Sequence, residues 1–440
     1  MKKVVILGAG MTGLFAAYKL SKKFQVILIE KSKDLGGMSY SFKHKNFLLD
    51  YGPHKIYTEL PGIMPEIDNL IGLQRIKKKN SIYLQGTYFN FPLQLVQLLT
   101  RMPGKGIQSG MDILLKPINK MPDTSYENFL INNFGNTLYS LVFKTYAKKI
   151  WGNPIELDVD LAKKRVAVSG IFQLIKSVIL KDTGKISAEY FYYPETSISQ
   201  LSDVLAEQII KNKGKILLNE KIKEIKNKKG KFEIILKNKK LEADILISTI
   251  PLIDLSSYLG NKEMIDNASK LKYKDTNIFY FIINRSRVLK ENWIFFPSLE
   301  IPFHRISEQK SFSQACCPEN KTTLLVESTL SEKYKKDIKD KLIQLRIIKE
   351  EEIEEVFVKT LYKAYPVYLK GYKSYLDNIL AYLDKINNFY TIGRHGLFNY
   401  NNMDQCIDMA KKLVEHIIDN KDKENWLATR KSFDKYRIVD

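Results

Sequence analysis

The segment from Lys2 to Glu30, KKVVILGAGMTGLFAAYKLSKKFQVILIE, constrains the fold more than any other part of the chain. An apolar run, Val4–Leu7, leads into Gly8-Ala9-Gly10-Met11-Thr12-Gly13. A helical stretch to Leu20 comes next, then a second apolar run, Gln25–Ile29, that ends in an acid. Such short apolar runs read as buried strands, and two parallel strands need a crossover helix between them. Gly8 suits the tight turn, Gly10 lets backbone amides approach a pyrophosphate, and Gly13 lets helix and strand come close. The helix N-terminus offers its positive end to the phosphates. Glu30 is placed to accept hydrogen bonds from a ribose 2′-hydroxyl. In this strand–turn–helix–strand–acid context the glycine motif predicts a Rossmann-like dinucleotide-binding domain.

In Lys33–Phe42, KDLGGMSYSF, a second glycine turn, Gly36-Gly37, lets the chain pass beside the cofactor phosphates. These residues just after Glu30 resemble those of the two-dinucleotide-motif flavoproteins, a resemblance that implies FAD rather than NAD. No second GxGxxG appears later, which argues against a separate NAD domain. After Leu60 the strand–helix rhythm stops. Residues Phe91–Leu180 carry helix-period apolar spacing. Residues Lys215–Pro251 read as a β-meander that returns to a buried strand, Ile245–Thr249. More strands are expected from Ile278 to Lys363, and a glycine turn and long helix from Ile392 to Ile418. The predicted fold is α/β: a Rossmann-like FAD-binding domain interrupted by a helical insert and an antiparallel β-sheet insert. The expected segments are 1–75, 196–255 and 376–440 for the FAD domain, 76–195 for a mostly helical substrate domain, and 256–375 for a sheet substrate domain.

Composition excludes several classes. Over 440 residues, 44% hydrophobic and 27% charged content is that of an ordinary globular protein. The net charge of +21 could attract anions, but the lysines alternate with apolar residues as on solvated strand faces. No nucleic-acid module is present, so no nucleic-acid partner is expected. Three cysteines, Cys316, Cys317 and Cys406, form no CxxC pair, so neither a disulfide framework nor a metal site is predicted. No run reaches the roughly 18 apolar residues of a membrane span, and no signal peptide is visible. The expectation is a cytoplasmic chain.

Five further segments carry chemistry-bearing residues in a fixed order: Leu49–His54 (LDYGPH); Phe143–Gly152 (FKTYAKKIWG) with Arg165 beyond it; Ile301–Phe312 (IPFHRISEQKSF); Ala364–Val367 (AYPV); and Ile392–Gln405 (IGRHGLFNYNNMDQ). Together they resemble the UDP-galactopyranose mutase family, within the amine oxidase and protoporphyrinogen oxidase-like flavoproteins. The resemblance implies an FAD-dependent isomerase in which the reduced flavin N5 is a nucleophile at the anomeric carbon of a nucleotide sugar. Pyranose and furanose then interconvert without net oxidation, supplying furanose donors for surface glycans. It implies a nucleoside-diphosphate sugar as substrate and NAD(P)H or another reductant for the flavin, and is compatible with a homo-oligomer.

The resemblance also implies roles for individual residues. Arg165 and Arg305 match the two diphosphate-binding arginines, suited by guanidinium forks that grip phosphate oxygens. Tyr146, Tyr365 and Tyr400 match tyrosines reaching the same phosphates, and Trp151 a flat wall near the sugar. Phe91 and Gln94 match the segment contacting the uracil region. His54 matches a histidine beside the flavin, and with Arg165 and Arg305 forms the catalytic set. Gly393 matches a cofactor-binding position, and Arg394 one next to the isoalloxazine. Met403, Asp404 and Gln405 open the last helix, whose amides would face the cofactor. His304 and His395 stand outside this set, and Trp293 is expected in the core.

Two other readings stay open. A redox flavoenzyme of the amine oxidase or protoporphyrinogen oxidase type shares the FAD features but has no need of two phosphate-binding arginines. A non-catalytic flavoprotein fold could use its basic surface for docking.

Overall fold

The computed structural model describes residues 1–115, 120–166, 189–228 and 230–438. The first apolar run forms a strand, Lys3–Leu7, at the centre of a five-stranded parallel sheet. Its order is Phe389–Thr391, Ile245–Ser248, Lys3–Leu7, Gln25–Ile29 and Lys215–Leu217. Val4, Val5, Ile6 and Leu7 are fully buried, as a central strand covered on both faces requires. The helix Met11–Leu20 packs on this sheet and against helices Ser199–Lys211 and Met403–Ile418. Burying Leu14 and Phe15 there contributes about 1.5–3 kcal/mol each. A three-stranded antiparallel meander, Ile222–Lys228, Lys231–Leu236 and Lys240–Ala243, precedes the strand Ile245–Ser248, as its alternating pattern predicts.

The second sheet has seven strands. Its order is Ile353–Val367, Lys272–Ile283, Thr322–Ser328, Arg305–Glu308, Trp293–Phe295, Asn80–Leu84 and Thr87–Asn90. The sheet is mixed rather than purely antiparallel, because Trp293–Phe295 runs parallel to Asn80–Leu84. Parallel partners need no hairpin between them, so the pairing draws on strands more than 200 residues apart that periodicity cannot connect.

A helical region follows the strand Thr87–Asn90 along the chain. The helix Tyr126–Leu138 is capped by Ser125, whose side chain accepts from the Asn128 amide at 3.1 Å. Gly135, at φ +79°, breaks it. A π-helical turn, Tyr139–Lys144, and the helix Thr145–Ile150 come after it. The helix Val159–Arg165 starts on Asp158, which accepts from the Asp160 amide at 3.0 Å. The helical pattern expected to run on to Leu180 lies, past residue 166, outside the described residues. No described helix is long and apolar enough to cross a membrane.

Candidate functional site

All three regions line one cavity of about 520 Å³. At one end it is walled by the glycine turns. Gly8 sits at φ +95°, Gly36 at +96° and Gly37 at +58°, conformations that a side chain would strain. A Cβ on Gly13 would stand 1.9 Å from the Gly8 carbonyl oxygen, so Gly13 holds helix against strand and stays behind the cavity wall. A Cβ on Gly10 would meet nothing within 4 Å, so its backbone faces open space. Glu30 lines this end, its carboxylate accepting from the amides of Ala9 at 2.8 Å and Ser32 at 2.9 Å.

His54 and Arg394 also line the cavity. Burial lowers the His54 pKa despite the nearby carboxylates of Asp50 and Glu327, so its ring is neutral at pH 7. Its Nδ1 is buried without a hydrogen-bond partner. Arg394 donates to the carbonyls of Asn401 at 2.6 Å and Ala364 at 2.7 Å, while its Nε is buried and unpartnered. Glycine backbone open at Gly10, an acid at Glu30 and two orphaned nitrogens fit an elongated dinucleotide with a polar ring system. The FAD expected from the sequence fits this cradle.

The far end is made of side chains from separate elements. Tyr146 comes from the helix Thr145–Ile150 and Arg165 from the end of Val159–Arg165. Arg305 opens the strand Arg305–Glu308, and Tyr365 lies near the end of Ile353–Val367. Tyr400 precedes the last long helix. The rings of Tyr365 and Tyr400 stack at 5.7 Å and 8°. The guanidinium of Arg165 lies 5.3 Å from the Tyr400 ring and that of Arg394 lies 4.5 Å from it, so two cations share one aromatic face system. Burial raises the pKa of Tyr146 and Tyr365, so both keep their hydroxyl protons.

Arg305 has a partner that no sequence motif announces. Its Nε donates to Glu327 Oε1 at 2.6 Å and its Nη2 to Oε2 at 2.8 Å, across directly paired positions of neighbouring strands. Glu327 is only 2% exposed. The one available signal was an acid inside Thr322–Ser328, a strand otherwise uncharged and buried at every position. His304 and His395, left outside the expected set, also line the cavity. Trp293, expected as core, is 4% exposed, stacks on Phe312 and touches the cavity from behind.

Of the expected residues, Gly8, Gly10, Glu30, Gly36, Gly37, His54, Tyr146, Arg165, Arg305, Tyr365, Arg394, Tyr400 and Met403 meet on this cavity. Others stand off it. Trp151 sits one layer back, its ring edge-on to Tyr146 at 6.4 Å and to Tyr400 at 6.2 Å, with Arg165 5.8 Å away. Phe91 packs on Phe295 at 4.7 Å, and Gln94 is exposed at the start of the helix Leu95–Arg101. Gly393, at φ +87°, presses against Thr12. Gln405 accepts from the Asn402 amide and donates to the Arg437 carbonyl at 2.6 Å, so it serves the helix cap and the C-terminal tail. Asp404 is buried beside it, its pKa pushed up to about 6 by burial. Among the described residues no cluster of ligating side chains could hold a metal ion.

Comparison with known proteins bears on this arrangement. Residues 6–65 match the family model of an NAD(P)-binding Rossmann-like domain. Coproporphyrinogen III oxidase of Staphylococcus aureus is 24% identical over 298 residues, 60% of this chain and 64% of that protein. Human protoporphyrinogen oxidase is 28% identical over 179 residues, 36% of this chain and 37% of that protein. The chain therefore spans less than two thirds of these curated relatives. A crystal structure of reduced UDP-galactopyranose mutase superposes with a TM-score of 0.85 at 19% identity, covering 99% of this chain and 98% of that one. A putative protoporphyrinogen oxidase from Exiguobacterium sp. 255-15 superposes with a TM-score of 0.75 at 18% identity, covering 96% and 99%. These superpositions show that the chain shares the fold of those two proteins.

Proposed function

We propose that this protein is a flavin-dependent mutase that interconverts pyranose and furanose forms of a nucleoside-diphosphate sugar. The observation that carries the reading is the convergence of Arg165 and Arg305, from two separate inserts, on the cavity that also contains the dinucleotide cradle. An oxidase acting on a neutral or apolar substrate has no use for that pair.

Gly8, Gly10, Glu30, Gly36, Gly37, His54 and Arg394 would hold the cofactor. Reduced FAD, when bound, supplies an electron-rich nitrogen that can attack an anomeric carbon, in the manner of covalent catalysis. The chain's own residues do the rest. Two of Arg305's N–H groups are spent on Glu327, which fixes the plane of the guanidinium, and the remaining N–H groups are left for phosphate oxygens. Arg165 adds a second fork without a pKa that can fall into the working range. The protonated hydroxyls of Tyr146 and Tyr365 can donate to the same oxygens. Together they retain the diphosphate as it leaves and returns, so the exchange stays within one site. Arg394, with no carboxylate partner among its hydrogen bonds, leaves positive charge beside the flavin position, which favours an anionic reduced ring. The product would feed surface glycan synthesis, and the flavin would be kept reduced by NAD(P)H or another donor.

The test is incubation of the purified protein with UDP-galactopyranose, with and without dithionite, tracking the furanose isomer by chromatography and proton NMR. Turnover only in the reduced sample is expected. No turnover with any nucleotide sugar, together with no nucleotide binding, overturns the reading. The sequence matches to porphyrinogen oxidases favour a second one, dehydrogenation of a porphyrinogen with oxygen as acceptor. Appearance of porphyrin fluorescence from coproporphyrinogen III would select it.

A further inference from the structure

His304 is a buried ring to which the nucleotide-sugar reading gives no task. It is 2% exposed and lines the cavity beside Arg305, yet its Nε2 has no hydrogen-bond partner. Leaving a buried polar atom unpaired costs about 1–3 kcal/mol, so an orphan on a cavity wall is a place where a ligand has something to add. Its backbone is pinned: the amide donates to the Glu327 carbonyl at 3.0 Å, and the carbonyl accepts from the Phe296 amide at 2.9 Å. The ring itself stands edge-on to Tyr146 at 6.2 Å.

The charges around it come from every side. Arg305 is the next residue along its own chain, Lys149 and Tyr146 face it from the helix Thr145–Ile150, and the charge of Arg165 reaches it from the helix Val159–Arg165. Glu327, on the neighbouring strand, holds its Oε2 3.9 Å from Nε2, but that carboxylate is already committed to Arg305. Burial and the charges of Arg305, Lys149 and Arg165 keep the ring from protonating, well below its ordinary range, and burial pulls Lys149 itself down to about 7. A diphosphate placed between Arg165 and Arg305 would cancel the field of those cations and present acceptor oxygens in the same space.

We propose that His304 is an anion-contacting residue of this pocket, whose ring takes up a proton from solvent as a nucleoside diphosphate settles beside Arg305 and Arg165. The inference rests on the nucleotide-sugar reading and adds a component to it. The proton comes from the buffer, Nε2 becomes a donor, and the new imidazolium charge is offset by the phosphates. Ligand binding and proton binding are then linked: affinity falls as pH rises, because the free site binds fewer protons than the complex.

The experiment is calorimetric titration of the FAD-loaded protein with UDP-galactose at pH 7, in buffers of different ionisation enthalpy. UDP-galactose is the probe because its bridged phosphates do not titrate near neutrality. Expected is a measurable net proton uptake, up to one per ligand, and a Kd that rises from pH 6 to pH 8 by no more than about tenfold per unit. His304→Asn should still bind UDP-galactose, with the proton uptake gone. Binding with no proton uptake in the wild type, or uptake retained in the variant, overturns the inference and leaves the nucleotide-sugar reading standing. Absence of binding by any nucleotide sugar overturns both. Burial brings Lys149 down to about 7 as well, so Lys149→Arg, which does not titrate in this range, should keep the proton uptake, and its loss in that variant overturns the inference even if His304→Asn does not fold.

Discussion

At the dinucleotide end the cavity wall is mostly glycine backbone. At the far end it is long side chains, Tyr146, Arg165, Arg305 and Tyr365, from four different elements. The first end depends on where atoms are absent, and the second on where charges and hydroxyls are held. The difference sets how each should fail. The missing Cβ serves the structure at Gly13, so adding a methyl there breaks the frame. A missing side chain at Gly10 serves only the ligand.

The largest expected effect tests that contrast directly. Gly13→Ala puts a Cβ 1.9 Å from the Gly8 carbonyl oxygen, and backbone cannot yield as a flexible side chain would. Overpacking of this kind costs about 1–3 kcal/mol. Loss of bound flavin and a lowered Tm of the apoprotein are expected together. Gly10→Ala has open space and a φ of −72° that any residue adopts, so the apoprotein Tm should hold while flavin occupancy falls. Flavin absorbance per chain and thermal melts of both apoproteins check this, and equal Tm losses would break the comparison.

Next comes the far end, where the proposed function puts the diphosphate. Arg305→Ala leaves Glu327 charged, buried and unpaired, a situation that costs about 3–5 kcal/mol. Replacing both residues with apolar ones, Arg305→Met with Glu327→Leu, should restore most of the stability but none of the UDP-sugar affinity. Urea denaturation and equilibrium binding separate the two outcomes. Recovery of binding in the double variant would show that Arg305 serves the sheet and not the ligand.

The same contrast explains what could be read in the sequence. The Rossmann-like domain was legible because its determinants are local: Gly8, Gly10, Gly13 and Glu30 lie within about one βαβ unit, and each spacing has a geometric reason. The meander Ile222–Ala243 was legible from alternation and turn residues. Glu327 was not, since its meaning depends on pairing with a strand 22 residues away in sequence. His304 stayed outside the expected set because it occupies a variable position of its matched segment; only the folded pocket shows its Nε2 without a hydrogen-bond partner. The parallel pairing of Trp293–Phe295 with Asn80–Leu84 left no periodic trace either. Phe91 and Gln94 show the converse, residues matched by pattern that the fold places off the cavity. Trp151 falls between, behind the wall yet braced on Arg165, Tyr146 and Tyr400.

A smaller effect is expected from Lys149, which joins the helical region to the sheet. Its Nζ donates to the carbonyls of Phe296 and Phe303 at 2.7 Å each, closing the loop that precedes His304 and Arg305. Lys149→Met leaves both carbonyls without that donor, at about 1–3 kcal/mol for each one that water cannot reach. Because the loop carries Arg305, under the proposed function KM for the nucleotide sugar should rise more than kcat falls, and Lys149→Arg should recover part of it. A purely structural role would lower Tm and leave the KM of the surviving enzyme unchanged.

The smallest effect belongs to Asp404, in the first turn of the helix that starts against the flavin position. Burial pushes its pKa up to about 6 from an ordinary value of 3.8, so between those values the folded chain holds a proton that the unfolded chain has released. Stability attributable to this group therefore falls as pH rises from 3.8 to 6 and is constant above. At pH 7 the penalty is at most about 3 kcal/mol, from about two pKa units at about 1.4 kcal/mol each, and the helix N-terminus offsets part of the charge cost. Asp404→Asn should raise the Tm of the apoprotein at pH 7 and leave it nearly unchanged at pH 4. A stabilisation of equal size at both pH values would mean that the gain comes from packing and not from the buried charge. A loss of stability at pH 7 would mean that the carboxylate's bonds to the helix N-terminus outweigh its burial, and that this end of the cavity, too, depends on a charged side chain.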